Sequence, residues 1–208
     1  GHKRNCRAQY LKDLGASLDI TEIYGFDSLH GANGILQEAM RRAAHRWGSQ
    51  QSYFLVGGST CGILAGIYAA VEKGGRILMS RNCHRSVYNA VELVGASPVY
   101  LSPQWDPIWG IEGPVSPENV KKAIAENSDI SLVVITSPTY DGIISDIAEI
   151  ANVVHAAGLP LMVDEAHGAH LDLSPYFTGG AVKAGADFVV QSLHKTMPSL
   201  TQTAIAHV

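Results

Sequence analysis

Short apolar runs alternate with longer mixed segments along most of this 208-residue chain. The runs have strand length and are rich in valine, isoleucine and leucine, whereas the segments between them have helix length. This alternation is typical of βα units around a mostly parallel sheet. It predicts seven strands, near Tyr53–Val56, Ile77–Ser80, Pro98–Leu101, Leu132–Thr136, Leu161–Asp164, Asp187–Gln191 and Thr203–Val208.

The segments between the runs predict five helices. Ser116 as N-cap, with Pro117 and Glu118 behind it, marks the start of the fourth, and Gly158 ends the fifth. A proline-rich stretch over 102–115 predicts an ordered loop. The helices are predicted near Ala32–Trp47, Thr60–Lys73, Arg85–Leu93, Pro117–Asn127 and Ile147–Ala157.

Composition narrows the class of protein. Charged residues make up 16% of the chain, below the roughly 25% usual in soluble chains, which fits a mostly internal sheet and a large interface. The net charge is -4 and the cations are scattered, so we expect no nucleic acid partner. No apolar stretch approaches a membrane span, so we expect no membrane partner. Three cysteines without metal-type spacing favour the cytoplasm.

A glycine-rich turn follows the first predicted strand. Gly57 and Gly58 precede Ser59 and Thr60, and a helix comes next. Glycines allow close backbone approach, and a helix N-terminus attracts anions, so the turn suits a phosphate. An ordinary glycine-rich βα turn would have the same sequence.

Asp164 ends the fifth predicted strand in the stretch V-D-E-A-H-G-A-H. One interpretation is the D-E-A-H box of an ATPase, but the G-x-x-x-x-G-K-[ST] loop that it requires is missing from the sequence. A second is a metal site with His167 and His170, although structural histidines are commoner. An aspartate at the end of an apolar run is desolvated, so it needs a cationic partner or good hydrogen bonds to stay ionised.

Lys195 offers a third interpretation, because it follows the next strand in the stretch S-L-H-K-T. A lysine amine there could form a Schiff base, and a pyridine cofactor needs an anion such as Asp164 at its ring nitrogen. The phosphate would then lie on Ser59 and Thr60, with Ser192 and His194 donating from the other side. Together these strand ends predict a site for pyridoxal 5'-phosphate. Each residue could also have an ordinary structural role: Lys195 as a solvated surface residue, Asp164 as a helix cap and Ser192 as a turn former.

The motifs resemble those of the group I Orn/Lys/Arg decarboxylase family, whose members are fold type I pyridoxal-phosphate enzymes. The matching stretches are G-H-K-R-N at 1–5, G-G-S-T at 57–60, R-N-C-H-R-S at 81–86, S-P-T-Y-D-G at 137–142, V-D-E-A-H-G-A-H at 163–170 and S-L-H-K-T at 192–196. The resemblance implies an α/β fold with three αβα layers and a mostly parallel seven-stranded sheet whose last strand is antiparallel.

The same resemblance implies individual roles. Lys195 would carry the cofactor, Asp164 would pair with its ring nitrogen, and His84 would stack on the ring face. His167 would lie beside the phenolic oxygen, and the phosphate would be held by Ser59, Thr60, Ser192 and His194. It gives Asp141 no role.

The implied activity is decarboxylation of lysine, arginine or ornithine, as in polyamine biosynthesis, by a homodimer or higher homo-oligomer. We expect residues 1–208 to form the cofactor-binding large domain of a longer chain, with an N-terminal extension and a C-terminal small domain outside it. Two alternatives stay open. The cofactor could serve transamination or aldol cleavage, since the same electron sink supports all three reactions, or the chain could be a non-catalytic binding or assembly fragment.

Overall fold

The computed structural model describes Asp13, Gly15, Leu18 and residues 20–208. The G-H-K-R-N motif therefore lies outside the described residues. The chain divides into two compact units between Arg41 and Arg42, and the domain assignment stays a prediction. In the smaller unit the Asp27 carboxylate accepts hydrogen bonds from backbone amides that include those of Asn33 and Gly34. These bonds lower the Asp27 pKa to about 2.

The larger unit is built on a seven-stranded sheet and has a separate two-stranded ribbon. The strands are β1 Ser52–Leu55, β2 Arg76–Ser80, β3 Ser97–Leu101, β4 Trp105–Asp106, β5 Ile111–Glu112, β6 Ile130–Thr136, β7 Leu161–Asp164, β8 Phe188–Ser192 and β9 Ala204–His207. The order in the sheet is β1-β9-β8-β7-β6-β2-β3, and β4 pairs with β5 in the ribbon. Strand β9 is antiparallel to both of its neighbours, and the other strands of the sheet are parallel to one another.

Helices cover the sheet on both faces, which gives three layers. The helices are α1 Ile35–Trp47, α2 Gly58–Ala70, α3 Arg85–Val94, α4 Pro117–Glu126, α5 Ile147–Ala156 and α6 Leu193–Thr196. Successive side chains of a strand point to opposite faces, and β6 shows the result. Leu132 and Val134 pack with α2 and α3, whereas Val133 and Ile135 pack with α4 and α5. None of the helices in the described part of the chain is long and apolar enough to cross a membrane.

The predicted α/β class, the mostly parallel sheet and its antiparallel last strand are confirmed. All seven predicted strands and five helices are present with bounds that move by a few residues. Two features were missed. The predicted loop over 102–115 contains the ribbon, and a short helix, α6, follows β8 directly. Elements of two to four residues are too short to show a hydrophobic period.

Candidate active site

A pocket of about 320 Å³ lies at the carboxyl ends of β6, β7 and β8 and at the start of α2. Ligands of open α/β sheets bind at this edge, because the loops after parallel strands meet there. All eight residues that the sequence analysis assigned to the cofactor line this pocket. They are Ser59, Thr60, His84, Asp164, His167, Ser192, His194 and Lys195.

The glycine turn forms one end of the pocket. Gly58 has a φ of 71°, a left-handed conformation that a side chain would strain. Helix α2 begins there, and its N-cap Gly57 provides no side-chain hydrogen bond to the first turn. The amides of that turn are thus available to an anion.

Ser192 at the end of β8 and His194 in α6 complete this cradle. The Ser192 hydroxyl donates a hydrogen bond to Ser59 Oγ at 2.9 Å. His194 Nδ1 lies 3.1 Å from the carbonyl oxygen of Thr203, so Nδ1 carries the proton and donates it. The pocket wall thus combines hydroxyls and backbone amides with an imidazole, and hydroxyls and amides are donors that a phosphate needs.

Asp164 is 3% exposed and lines the pocket from the end of β7. Its Oδ1 accepts a hydrogen bond from the Ala166 amide at 3.2 Å. Burial raises the Asp164 pKa, while that hydrogen bond and the Coulombic interactions with His84 and Lys195 lower it. A carboxylate this deeply buried, whose side chain meets a single hydrogen-bond donor among the described residues, favours a further cationic partner.

Lys195 approaches the pocket from α6. Its Nζ lies 3.2 Å from His167 Nε2. Burial and then the charge of Lys195 lower the pKa of His167, so the imidazole is neutral near pH 7 and its Nε2 accepts from the ammonium. The Tyr140 ring meets the His167 ring edge-on, with centroids 6.0 Å apart.

His84 has two tasks in the structure. It is the N-cap of α3, and its Nδ1 accepts a hydrogen bond from the Ser86 amide at 3.2 Å. The proton of the neutral ring therefore lies on Nε2. This capping role is compatible with the pocket role that the resemblance implies for His84, because capping fixes the ring while the residue also lines the pocket.

Several residues that line the pocket were not predicted from the sequence, and two of them have unpartnered polar atoms. Thr136 Oγ1 and Asn82 Oδ1 are buried atoms without a hydrogen-bond partner in the described structure, and both residues line the pocket. Thr136 ends β6 opposite Asp164, and Asn82 lies inside the R-N-C-H-R-S motif, so the same strand-end argument applies to both. Unpartnered buried polar atoms beside a phosphate cradle and a buried carboxylate fit a polar cofactor.

The other candidates do not gather into a site. Within the described residues, no group of three or more histidine, cysteine or acidic side chains is arranged to hold a metal ion. The metal interpretation of Asp164, His167 and His170 therefore has no support. Asp141 is exposed.

Comparison with known proteins gives one family. Residues 4–208 match the family described as Orn/Lys/Arg decarboxylase, major domain. The chain is 44% identical over 200 residues to the uncharacterized protein YaaO of Bacillus subtilis, covering 96% of this chain and 42% of that protein. It is 34% identical to an arginine decarboxylase of Halalkalibacterium halodurans, covering 100% of this chain and 43% of that enzyme.

Solved structures agree on the fold. Lysine decarboxylase A from Pseudomonas aeruginosa superposes with a TM-score of 0.78 at 23% identity, over 100% of this chain and 31% of that one. Likeness at this identity concerns the fold alone. The chain spans less than half the length of these curated relatives.

Proposed function

This chain belongs to the Orn/Lys/Arg decarboxylase family, and we propose that it forms the pyridoxal-phosphate site of an enzyme that decarboxylates a basic amino acid. The substrate would be arginine, lysine or ornithine, and the products would be the corresponding amine and carbon dioxide. Relatives named arginine decarboxylase and lysine decarboxylase support the reaction class.

One observation carries the cofactor assignment. Asp164 and Lys195 line the same pocket, with the phosphate-type cradle of α2 on its wall. Asp164 is almost fully buried, and a protonated pyridine nitrogen would supply the cation that a buried carboxylate favours. Pyridoxal phosphate in this pocket would supply a ring that accepts the electron pair released from the Cα–carboxylate bond.

Each pocket residue has a task in this proposal. Lys195 provides the amine that attaches the cofactor aldehyde. Asp164 holds a proton at the ring nitrogen. His84, fixed by its capping bond to Ser86, covers one ring face and excludes water from it. His167 Nε2 lies 3.2 Å from Lys195 Nζ, and in this proposal its ring would lie beside the phenolic oxygen of the bound cofactor.

The cradle residues bind the phosphate. Ser59 and Ser192 are joined by a hydrogen bond of 2.9 Å, so their hydroxyls converge from two elements. Thr60 adds a hydroxyl donor beside the first turn of α2, and the His194 imidazole lines the same pocket. Binding at this end fixes the ring in the pocket, which orients the bond to be broken.

We expect a homodimer or higher homo-oligomer in the cytoplasm, with a free basic amino acid as substrate and a role in polyamine biosynthesis. The free thiols of Cys61 and Cys83 fit a reducing compartment.

Product analysis tests the reaction. The complete natural polypeptide, loaded with pyridoxal phosphate, should convert at least one of lysine, arginine and ornithine into its amine with an equal amount of carbon dioxide. The variant Lys195→Ala is the control and should give no product. A keto acid without carbon dioxide would indicate an aminotransferase, and an aldehyde fragment would indicate an aldolase. Cofactor binding without turnover of any substrate would indicate a binding or assembly role.

A further inference from the structure

A row of buried polar side chains crosses the sheet on the face opposite the pocket. We call Glu165, Gln191, His207 and Ser52 the reverse-face chain. Each of the four is at most 4% exposed. They come from the end of β7 and from β8, β9 and β1, so the row runs across four neighbouring strands.

Alternation along the strands separates this row from the pocket. In β8, Gln191 follows Val190, which packs with the α2 side of the sheet, and precedes Ser192, which lines the pocket. Glu165 likewise directly follows Asp164. Successive side chains point to opposite faces, so the reverse-face chain and the pocket residues share backbone but lie on different sides.

The hydrogen bonds of the reverse-face chain all run in the same direction, from Ser52 toward Glu165. Gln191 Nε2 donates to Glu165 Oε2 at 2.6 Å. The amide oxygen of Gln191 therefore faces His207 Nε2, 3.2 Å away, and must accept from it. With its proton on Nε2, His207 accepts at Nδ1 from the Ser52 hydroxyl at 2.8 Å. Every donor is directed toward the Glu165 carboxylate.

Glu165 also fastens the turn that follows Asp164. Its Oε1 accepts a hydrogen bond from the Ala181 amide at 2.7 Å, and its backbone amide donates to the Val190 carbonyl at 2.9 Å. The Trp47 ring packs beside the His207 ring, with centroids 5.3 Å apart, and its Nε1 donates to the Ala169 carbonyl at 3.2 Å. Residues 165–169 are thus held from the reverse face.

Among the described residues, the Asp164 side chain itself has few hydrogen bonds that fix its position. Within the described structure its side chain accepts one hydrogen bond, from the Ala166 amide, and that donor belongs to this same turn. We propose that the reverse-face chain fixes Asp164 at the point where it meets the ring nitrogen, with Glu165 as the positioning residue. This inference rests on the proposed function, because it assigns Asp164 to that nitrogen.

The test compares variants of the complete natural polypeptide, with cofactor isotopically labelled at its ring nitrogen. Glu165→Ala removes the anchor of the turn. Glu165→Gln keeps an oxygen for the Ala181 amide. Val189→Ala is the matched control, because it removes buried volume from the same face without removing a polar group. The readouts are the cofactor dissociation constant and the ring-nitrogen resonance.

We expect Glu165→Ala to raise the dissociation constant about 10-fold, the effect of losing one charge-assisted hydrogen bond. Its ring-nitrogen resonance should shift toward that of unprotonated pyridine, while Glu165→Gln and Val189→Ala stay near wild type. Wild-type values in Glu165→Ala, or an equal shift in Val189→Ala, would overturn the inference and leave the proposed function standing. A wild-type protein without cofactor binding would overturn both.

A second measurement does not require Glu165→Ala to fold. In Glu165→Gln the new amide group must donate to Gln191, which reverses each bond of the chain and moves the His207 proton from Nε2 to Nδ1. Imidazole nitrogen resonances at about pH 8 report this tautomer. A His207 proton on Nε2 in the wild type and on Nδ1 in the variant would support the reverse-face chain. The same tautomer in both proteins would overturn it.

Discussion

Single residues at the D-E-A-H-G-A-H turn have separate tasks on the two faces of the sheet. Asp164 lines the pocket, whereas Glu165 accepts hydrogen bonds from Gln191 and Ala181 on the other side. Gly168 closes the turn over Glu165. A β-carbon at Gly168 would lie 2.5 Å from Glu165 Cγ and 2.7 Å from Pro138 Cδ. The turn therefore depends on the absence of a side chain at this position.

We predict that Gly168→Ala lowers the free energy of unfolding by about 1–3 kcal/mol, because the added methyl group forces the packed atoms apart. Urea unfolding of wild type and variant measures the difference. Gly31→Ala is the control, since a β-carbon at Gly31 would meet nothing within 4 Å in the described part of the chain. Equal stability of Gly168→Ala and wild type would contradict the packing described for this turn.

At the scale of elements, the close approach of α2 to the sheet sets the position of the phosphate cradle. Gly62 faces β1 and β8, and a β-carbon there would lie 2.6 Å from Leu55 Cδ1 and 3.0 Å from Val190 Cγ1. Since the first turn of α2 carries Ser59 and Thr60, any displacement of the helix moves the proposed phosphate donors away from Ser192.

We predict that Gly62→Ala weakens cofactor binding about 10-fold, because the displaced helix loses roughly one charge-assisted hydrogen bond to the phosphate. Equilibrium titration with pyridoxal phosphate measures this. Ala65→Ser, on the exposed side of the same helix, should bind as wild type does. Unchanged affinity in Gly62→Ala would show that the cradle does not depend on helix packing.

The elements also show what the sequence could predict. Strand β7 has an apolar run that ends in Asp164, so both the strand and the polar position at its end were predicted. The ribbon of Trp105–Asp106 and Ile111–Glu112 was missed, because two-residue strands carry no period. The reverse-face chain was missed for another reason. Its members are far apart in sequence, and only the strand order brings His207 and Gln191 together.

For the whole molecule, two buried members of the reverse-face chain couple stability to pH in opposite directions. Burial raises the Glu165 pKa from 4.5 to about 7. Its contribution to stability is complete below pH 4.5 and is lost as pH rises through 7. Burial lowers the His207 pKa from 6.5 to about 4. Its contribution is complete above pH 6.5 and is lost as pH falls toward 4. Between pH 4.5 and pH 6.5 the two residues therefore change the free energy of unfolding in opposite directions.

We predict that when either residue is replaced, the pH dependence of stability caused by the other residue becomes visible. Relative to wild type, Glu165→Gln should gain up to about 1.4 kcal/mol per pH unit as pH rises from 4.5 to 7. His207→Gln should show the opposite sign, gaining relative stability as pH falls from 6.5 toward 4. Urea unfolding across this range measures both slopes. If the free energy of unfolding changed with pH in the same way in the wild type and both variants, the pKa shifts described for Glu165 and His207 would be contradicted.

The most direct test of the central proposal, that Lys195 and Asp164 share one cofactor, is the position of a covalent adduct. The complete natural polypeptide is incubated with pyridoxal phosphate, reduced with borohydride, digested and examined by mass spectrometry. We predict a phosphopyridoxyl group on Lys195, with Lys183 as an internal comparison because it lies outside the pocket lining. An adduct on other lysines with none on Lys195 would contradict the proposal.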